Sequence, residues 1–375
     1  MGLTNIRLGD YIERSTINNK ELKYGVDLIV GVNSQGVFAA PKGNTDGVDL
    51  KPYKIVENGA FVYNPTRLEL GSIAYRTEGL CIVSHLYMVF YLTDEGKKII
   101  DPMWLYIYFR RSEFCREVKF RNFGSQRPEF NFNDMSDIVI PLPDIEIQKK
   151  YVDIYNAMLE NQKSYEYRLE DLKLACDAYI EDLKHGIHCK AIGPYVERHD
   201  VRNRTNEIKK VMGVSTSKEF REPTSKVNRN ELSNYKIVRP RQISFVQTTH
   251  NEKVFAYAFN NTEDDIVVTS VNEVFSVDED KLLPEYLCMF FNRTEFDRYA
   301  RFHSWGSARE TFTWDDLVKV EIPIADMKIQ KSIVDIYKAY KEQKAINEKL
   351  KVKIKDICPI LIKGSIEEAR KAKEA

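Results

Sequence analysis

Apolar residues follow two different periods along this chain. Tyr151, Ile154, Met158, Asn161, Tyr165, Arg168, Leu172, Ala175 and Tyr179 advance in alternating steps of three and four. Ile333, Ile336, Tyr340, Gln343, Asn347, Leu350, Ile354, Ile357 and Leu361 do the same. Each set is the heptad-like stripe of a long helix, imperfect in the first because Leu169, Cys176 and Leu183 show it drifting around the axis. About 35 to 40 residues at 1.5 Å each make a rod of roughly 50 to 60 Å. A rod of that length needs a partner helix, and its own repeat is nearest. Antiparallel packing is expected, because parallel rods would crowd both globular parts at one end, whereas antiparallel rods relate them by an approximate two-fold axis. Asn161 and Gln343, equivalent polar positions on the two stripes, are expected to set the register.

The second period is short. Segments 60–63, 72–75, 80–84 and 87–92 are β-branched and aromatic and are punctuated by Gly, Asn and Pro, which predicts strands. Segments 244–247, 254–259, 266–270 and 274–277 repeat the pattern. Pro102 and Pro284 each open a helix, predicted over 102–114 and 284–296. The Gly-, Ser-, Thr-, Lys- and Asn-rich stretches 33–49 and 215–230 read as exposed loops, and the two copies diverge most there.

The two series belong to one duplicated unit. The run GSQRPEFNFNDMSDIVIPLPDIEIQKKYVDIY from Gly124 recurs as GSARETFTWDDLVKVEIPIADMKIQKSIVDIY from Gly306, an offset of 182 held without a gap. Arg127/Arg309, Phe130/Phe312, Phe132/Trp314, Asp134/Asp316, Pro141/Pro323, Gln148/Gln330 and Asp153/Asp335 are matched pairs. Tyr53-Lys54-Ile55-Val56 returns unchanged at Tyr235 to Val238. The expected fold is therefore α+β: two tandem mixed α/β domains, each followed by a long helix, with the helices forming an antiparallel coiled coil. The boundaries are 1–144, 145–190, 191–326 and 327–375.

Composition narrows the picture only slightly. The formal net charge is zero, which argues against a protein that coats DNA unaided but leaves room for local basic faces. No apolar run reaches the roughly 18 residues of a membrane helix, and the six scattered cysteines form no CxxC pair. Both fit a reducing cytoplasm.

The segment FVYNPTRLELGSIAYRTEGLCIVSHLYMVF, the duplicated layout, and IPLPDIEIQKK and IPIADMKIQKS leading into the rods resemble the DNA-specificity (S) subunit of a type I restriction–modification system. The resemblance covers nearly the whole chain. It implies two target-recognition domains that read the halves of a bipartite double-stranded DNA target, and rods that fix the gap. It also implies two methyltransferase subunits that bind S-adenosylmethionine and modify adenine, and two restriction subunits that use ATP and Mg. The S subunit would do no chemistry and hold no cofactor. The second copy departs from the pattern, with Gln247-Thr248-Thr249 in place of Asn64-Pro65-Thr66. A scaffold whose duplicated domains bind two protein partners is the alternative.

Arg suits guanine edges, Asn and Gln suit adenine, and Lys, Ser and Thr mostly hold phosphates. The first copy's candidates are accordingly Lys42 and Asn44 in the long loop, Asn64 and Arg67 around Pro65, Ser84 at a strand end, and Gln126 and Arg127 after a Gly-Ser turn. The second copy's are Ser215, Thr216, Lys218 and Arg221 in a polar loop, then Gln247, Thr248 and His250, and Arg309. Each competes with a plainer role: an Asx-turn for Asn64, a solvated or ion-paired side chain for the arginines, a strand-end hydroxyl for Ser84. Between residues 200 and 260, twelve Lys/Arg face six Asp/Glu, and Arg110, Arg111, Arg116, Lys119 and Arg121 form a basic strip in the first copy. Phe130, Phe132, Phe312 and Trp314 read as core. The Asn64-Pro65-Thr66-Arg67 run lacks the second proline and the aromatic of an adenine-methyltransferase motif. Asp144-Ile145-Glu146 is not a nuclease site, since Glu146 becomes Lys328 in the other copy. His185, His188 and Cys189 lack a fourth metal ligand.

Overall fold

A computed structural model describes residues 2–41, 43–122, 129–248, 254–304 and 310–374. The chain divides into two compact units, Met1–Tyr165 with Ile346–Ala375, and Glu166–Ala345.

Each unit is built on an antiparallel four-stranded sheet of the same order. In the first the strands run Ile12–Arg14, Met88–Leu92, Phe61–Tyr63 and Ile73–Tyr75; in the second, Val196–His199, Asn272–Val277, Ile243–Val246 and Tyr257–Phe259. One sheet face buries Phe61, Tyr63 and Phe90 under the helix Pro102–Phe109. The matching face buries Phe245, Tyr257 and Phe275 under Pro284–Phe291. Aromatic strands and an almost wholly apolar short helix leave no polar face to expose, so both elements go inside.

The predicted single helices 102–114 and 284–296 each divide in two, as Pro102–Phe109 with Ser112–Arg121, and Pro284–Phe291 with Thr294–Phe302. Tertiary contacts override propensity at the break. Arg110 turns its guanidinium inward onto the Gly71 carbonyl (2.5 Å), and Asn292 donates its amide to the Cys288 carbonyl (2.9 Å) and to Tyr337.

Several matched residues are joints. Gln148 is fully buried: its amide donates to Ile99 O and Pro143 O at 2.8 and 2.7 Å and its carbonyl accepts from Asp101 N at 2.8 Å. Gln330 makes the same three bonds with Lys281 O, Ala325 O and Leu283 N. Asp134 and Asp316 complete capping boxes with Asn131 and Thr313. Phe130 and Phe312 are core.

The long helices are Ile145–Gly186 and Met327–Glu374. Within the first unit they run in opposite directions. Lys150 meets Glu368 (2.9 Å), Tyr151 lies against Gly364, and further along Gln162 donates to Asn347 (2.9 Å). The stripe predicted on the second helix is the observed one, with Ile333, Asn347, Ile354 and Leu361 buried. On the first it lies one residue on: Val152, Tyr155, Gln162, Cys176, Ile180 and Leu183 are buried, while Ile154 and Asn161 are exposed. The polar pair at the seam is therefore Gln162 with Asn347, not Asn161 with Gln343. Both registers place an apolar or aromatic residue every three or four positions, so the partner surface decides between them.

Candidate nucleic-acid interface

Where the third strand of each sheet ends, the chain turns sharply and meets the junction that leads to the long helix. In the first unit Asn64 accepts from Thr66 N (3.1 Å) and Thr66 Oγ1 (2.9 Å), an Asx-turn that presents Arg67 to solvent with its side chain unbonded among the described residues. Phe130 N donates to Pro65 O at 3.1 Å. The second unit repeats the joint, with Phe312 N on Gln247 O at 2.8 Å and Thr248 bridged to Thr311. Gln247 thus occupies the place of Pro65, one position from the alignment read in the sequence.

This contact ties the turn after the strand, which carries Asn64 and Arg67 in one unit and Gln247 and Thr248 in the other, to Phe130 and Phe312. Gln126, Arg127, His250, Arg309 and Lys42 themselves lie outside the described residues. The other candidates are spread out. Asn44 is exposed and closes its own turn by accepting from Asp46 N at 2.9 Å, and Ser84 accepts weakly from Leu86 N at 3.5 Å. Thr216 is half-buried and Arg221 is exposed.

Two candidates in the second polar loop face inward. Ser215 is buried, with its hydroxyl on the Glu219 carbonyl at 2.8 Å. The Lys218 side chain is only 8% exposed, and its ammonium sits on Phe291 O (2.6 Å) and Asp297 (2.9 Å). Burial lowers the Lys218 pKa, and Asp297 opposes that shift. The loop looks polar in sequence because its cation and hydroxyl are needed inside.

The sequence reading missed one constellation. Glu273, across the sheet from Phe245, receives a bidentate pair from Arg198 (2.8 and 2.8 Å), the amide of Gln247, and Lys236 at 3.5 Å. Lys236 and Glu273 are both buried. Burial works to raise the Glu273 pKa, but Arg198, Lys236 and Gln247 together outweigh it and the net shift is downward. A carboxylate accepts only, so the Gln247 amide nitrogen must face it and the carbonyl oxygen is turned away, unbonded among the described residues. In the first copy Met88 stands across from Tyr63 and no such charge exists there. The available signal was a Glu in the strand NEVFSV where the matching strand of the first copy, MVFYL, carries no acid.

Among the described residues no group of His, Cys, Asp and Glu could hold a metal ion, and no helix is long and apolar enough to cross a membrane.

Comparison with known proteins agrees with this architecture. The family profile described as "Type I restriction modification DNA specificity domain" matches twice, over residues 4–170 and 194–356. No curated protein sequence matches the chain. Among solved structures, the type I restriction–modification S subunit from M. genitalium superposes with a TM-score of 0.58 at 11% identity, covering 97% of this chain and 96% of that one. A chain from a type I R-M system studied for complex assembly and conformational transition gives 0.51 at 15% identity, covering 97% of both. The HsdS subunit from Thermoanaerobacter tengcongensis gives 0.42 at 16% identity, covering 97% and 96%. The likenesses above 0.5 support the fold. The double profile match decides the family: this chain belongs to the type I restriction–modification DNA specificity family. It is a DNA-sequence-recognition subunit, non-catalytic itself, that works with DNA and with modification and restriction subunits.

Proposed function

We propose that the chain reads a bipartite target, with recognition domains 1–144 and 191–326 each taking one half-site and the helical segments 145–190 and 327–375 setting the gap. Two methyltransferase subunits carrying S-adenosylmethionine methylate adenine N6 in the halves, and two restriction subunits supply ATP- and Mg-dependent cleavage. This subunit holds no cofactor, and the complex works in the cytoplasm. The observation that carries the reading is one sheet and one junction, repeated, beneath turns of different chemistry: an Asx-turn with an exposed Arg67 in one copy, a Gln247 amide clamped by Glu273 in the other. A shared frame with different tips suits two readers of different sequence.

Base contacts come from Asn64, Arg67, Gln126 and Arg127 at one half-site and from Gln247, Thr248, His250 and Arg309 at the other. Lys42, Asn44, Ser84, Thr216 and Arg221 hold phosphates. Ser215 and Lys218 act from beneath by holding their loop. Gln247 offers an acceptor, so it takes an exocyclic amine in the major groove. Sequencing methylated sites in a host with and without this gene tests the reading. A two-part motif that disappears with the gene is expected; methylation unchanged by the deletion would refute it.

A further inference from the structure

Two phenylalanines are more exposed than any other large apolar side chain among the described residues: Phe120 at 82% and Phe302 at 80%. They occupy the same place in the repeat, near the end of the helices Ser112–Arg121 and Thr294–Phe302. Their surroundings are repeated as well. Arg116 and Lys119 lie one turn and one residue before Phe120, and Arg298 and Arg301 do so before Phe302; all four cations are exposed. The opposite face of each helix is anchored in the core by Phe114 and Val118, and by Phe296 and Ala300. Acids nearby leave the cations almost unopposed. Arg116 touches Glu113 at 3.3 Å with both side chains in water, where such a pair contributes little. Lys119, Arg298 and Arg301 have no carboxylate partner among the described residues. Glu117 is taken by Arg121, and Glu295 by Arg293 and Lys184.

We propose that this face, Arg116/Lys119/Phe120 in one copy and Arg298/Arg301/Phe302 in the other, is a contact to the DNA itself that is blind to sequence. The proposal rests on the DNA-reading function above. Turns that read different sequences diverge between the copies; a surface kept in both must touch something that is the same at both half-sites. The phosphodiester backbone is one such thing and a methyltransferase subunit is another. Charge favours the first: two exposed cations stand beside each ring, and the one acid that meets them, Glu113 on Arg116, is itself in water, so the surplus of positive charge matches a line of phosphates. In sequence, each helix is followed within a few residues by the Gly124 or Gly306 run that carries candidate base contacts. The rings abut sugars and base edges, the apolar element that backbone-binding proteins add to cationic contacts.

The test uses the full chain assembled with its methyltransferase, titrated with salt on a duplex bearing its methylated motif and on a random duplex. Arg116→Gln/Lys119→Gln and Arg298→Gln/Arg301→Gln should each weaken both duplexes by the same factor. Each should also lower the slope of log K against log salt by roughly 1.8, two phosphates at about 0.9 each. Phe120→Ala and Phe302→Ala should weaken both duplexes about ten-fold with the slope unchanged, as losing one apolar contact at a base step would. Motif and subunit assembly should stay as in the parent. An unchanged slope in the cation variants overturns the proposal. So does loss of methyltransferase from the complex in the Phe variants, which would make the face a protein interface. A parent complex with no motif preference would instead refute the DNA-reading function, and this proposal with it.

Discussion

In the first unit the tight turn at Ser34–Gly36 is held from the helix side. Arg110, 7% exposed, threads its guanidinium between two left-handed glycines, Gly36 (φ 74°) and Gly71 (φ 87°), and donates to Gly71 O and Ser34 O. In the second unit the cation comes from the turn side. Lys218 occupies the place of Gly36, with φ 62°, and reaches down to Phe291 O and Asp297 on the helices, while Asn292 stands where Arg110 was. A Cβ at Gly36 would lie 2.5 Å from Arg110 Nη1 and 2.8 Å from Ile73 O, so a lysine there would push the guanidinium out of its present place. A left-handed non-glycine costs on the order of 1–3 kcal/mol, and the buried Lys218–Asp297 pair offsets it. The requirement is one positive charge under the turn, and its source in the chain is free to vary.

Breaking the clamps should give the largest effects. Lys218→Met leaves the Asp297 carboxylate largely buried without its counter-charge, and a loss of about 3–5 kcal/mol is expected in the second unit. Arg110→Met removes hydrogen bonds from two carbonyls and should cost about 2–3 kcal/mol in the first. Denaturant melts followed by hydrogen exchange would resolve the units, and a loss spread evenly over both would contradict the assignment. A smaller difference separates the helix seams. A Cβ at Gly364 would meet Tyr151 Cε1 at 2.7 Å, so Gly364→Ala should destabilise the first unit by roughly 1–3 kcal/mol; an unchanged melt would mean the close approach is not real. Next, Gln162→Leu alone leaves the Asn347 Oδ1 acceptor without its donor and should cost about 1–2 kcal/mol, whereas Gln162→Leu with Asn347→Leu should return near the parent. Additive losses would argue against the pair.

The smallest contrast is in acid. Glu273 and Glu285 in the second unit have pKa values held below their usual 4.5: burial pushes each upward and is outweighed, for Glu273 by Arg198, Lys236 and Gln247 and for Glu285 chiefly by Arg241. A carboxylate depressed on folding contributes stability that is complete above the unfolded value and is lost as pH falls through the folded one. The depressed carboxylates of the first unit, Asp94 and Glu368, are surface groups held by Lys97 and Lys150, where the coupling is weak. Below about pH 4.5 the second unit should therefore lose hydrogen-exchange protection first. Simultaneous loss would show that the Glu273 network adds nothing.

The repeat made much of this legible in advance. Pairs such as Gln148/Gln330 and Asp134/Asp316 recur because the same joint is built twice, and the strands announce themselves by aromatic and β-branched runs. Three things were hidden, each for a physical reason. The helix breaks at Arg110 and Asn292 come from inward-turned side chains on residues that helices accept. The first seam is ambiguous because Tyr151, Ile154 and Met158 read as well as Val152, Tyr155 and Leu159. Lys218 looked like a phosphate ligand because no local pattern distinguishes a solvated lysine from one whose partner, Asp297, is 79 positions away.

The division of the chain has a consequence for synthesis. The second unit is continuous, 166–345, whereas the first draws its last part, including Cys358, Leu361 and Ile362 of its core, from beyond residue 346. A nascent chain can finish the later unit before the earlier one, which waits with an open apolar flank until residues 346–375 have been added. A stop codon just after residue 345 would therefore harm the half made first.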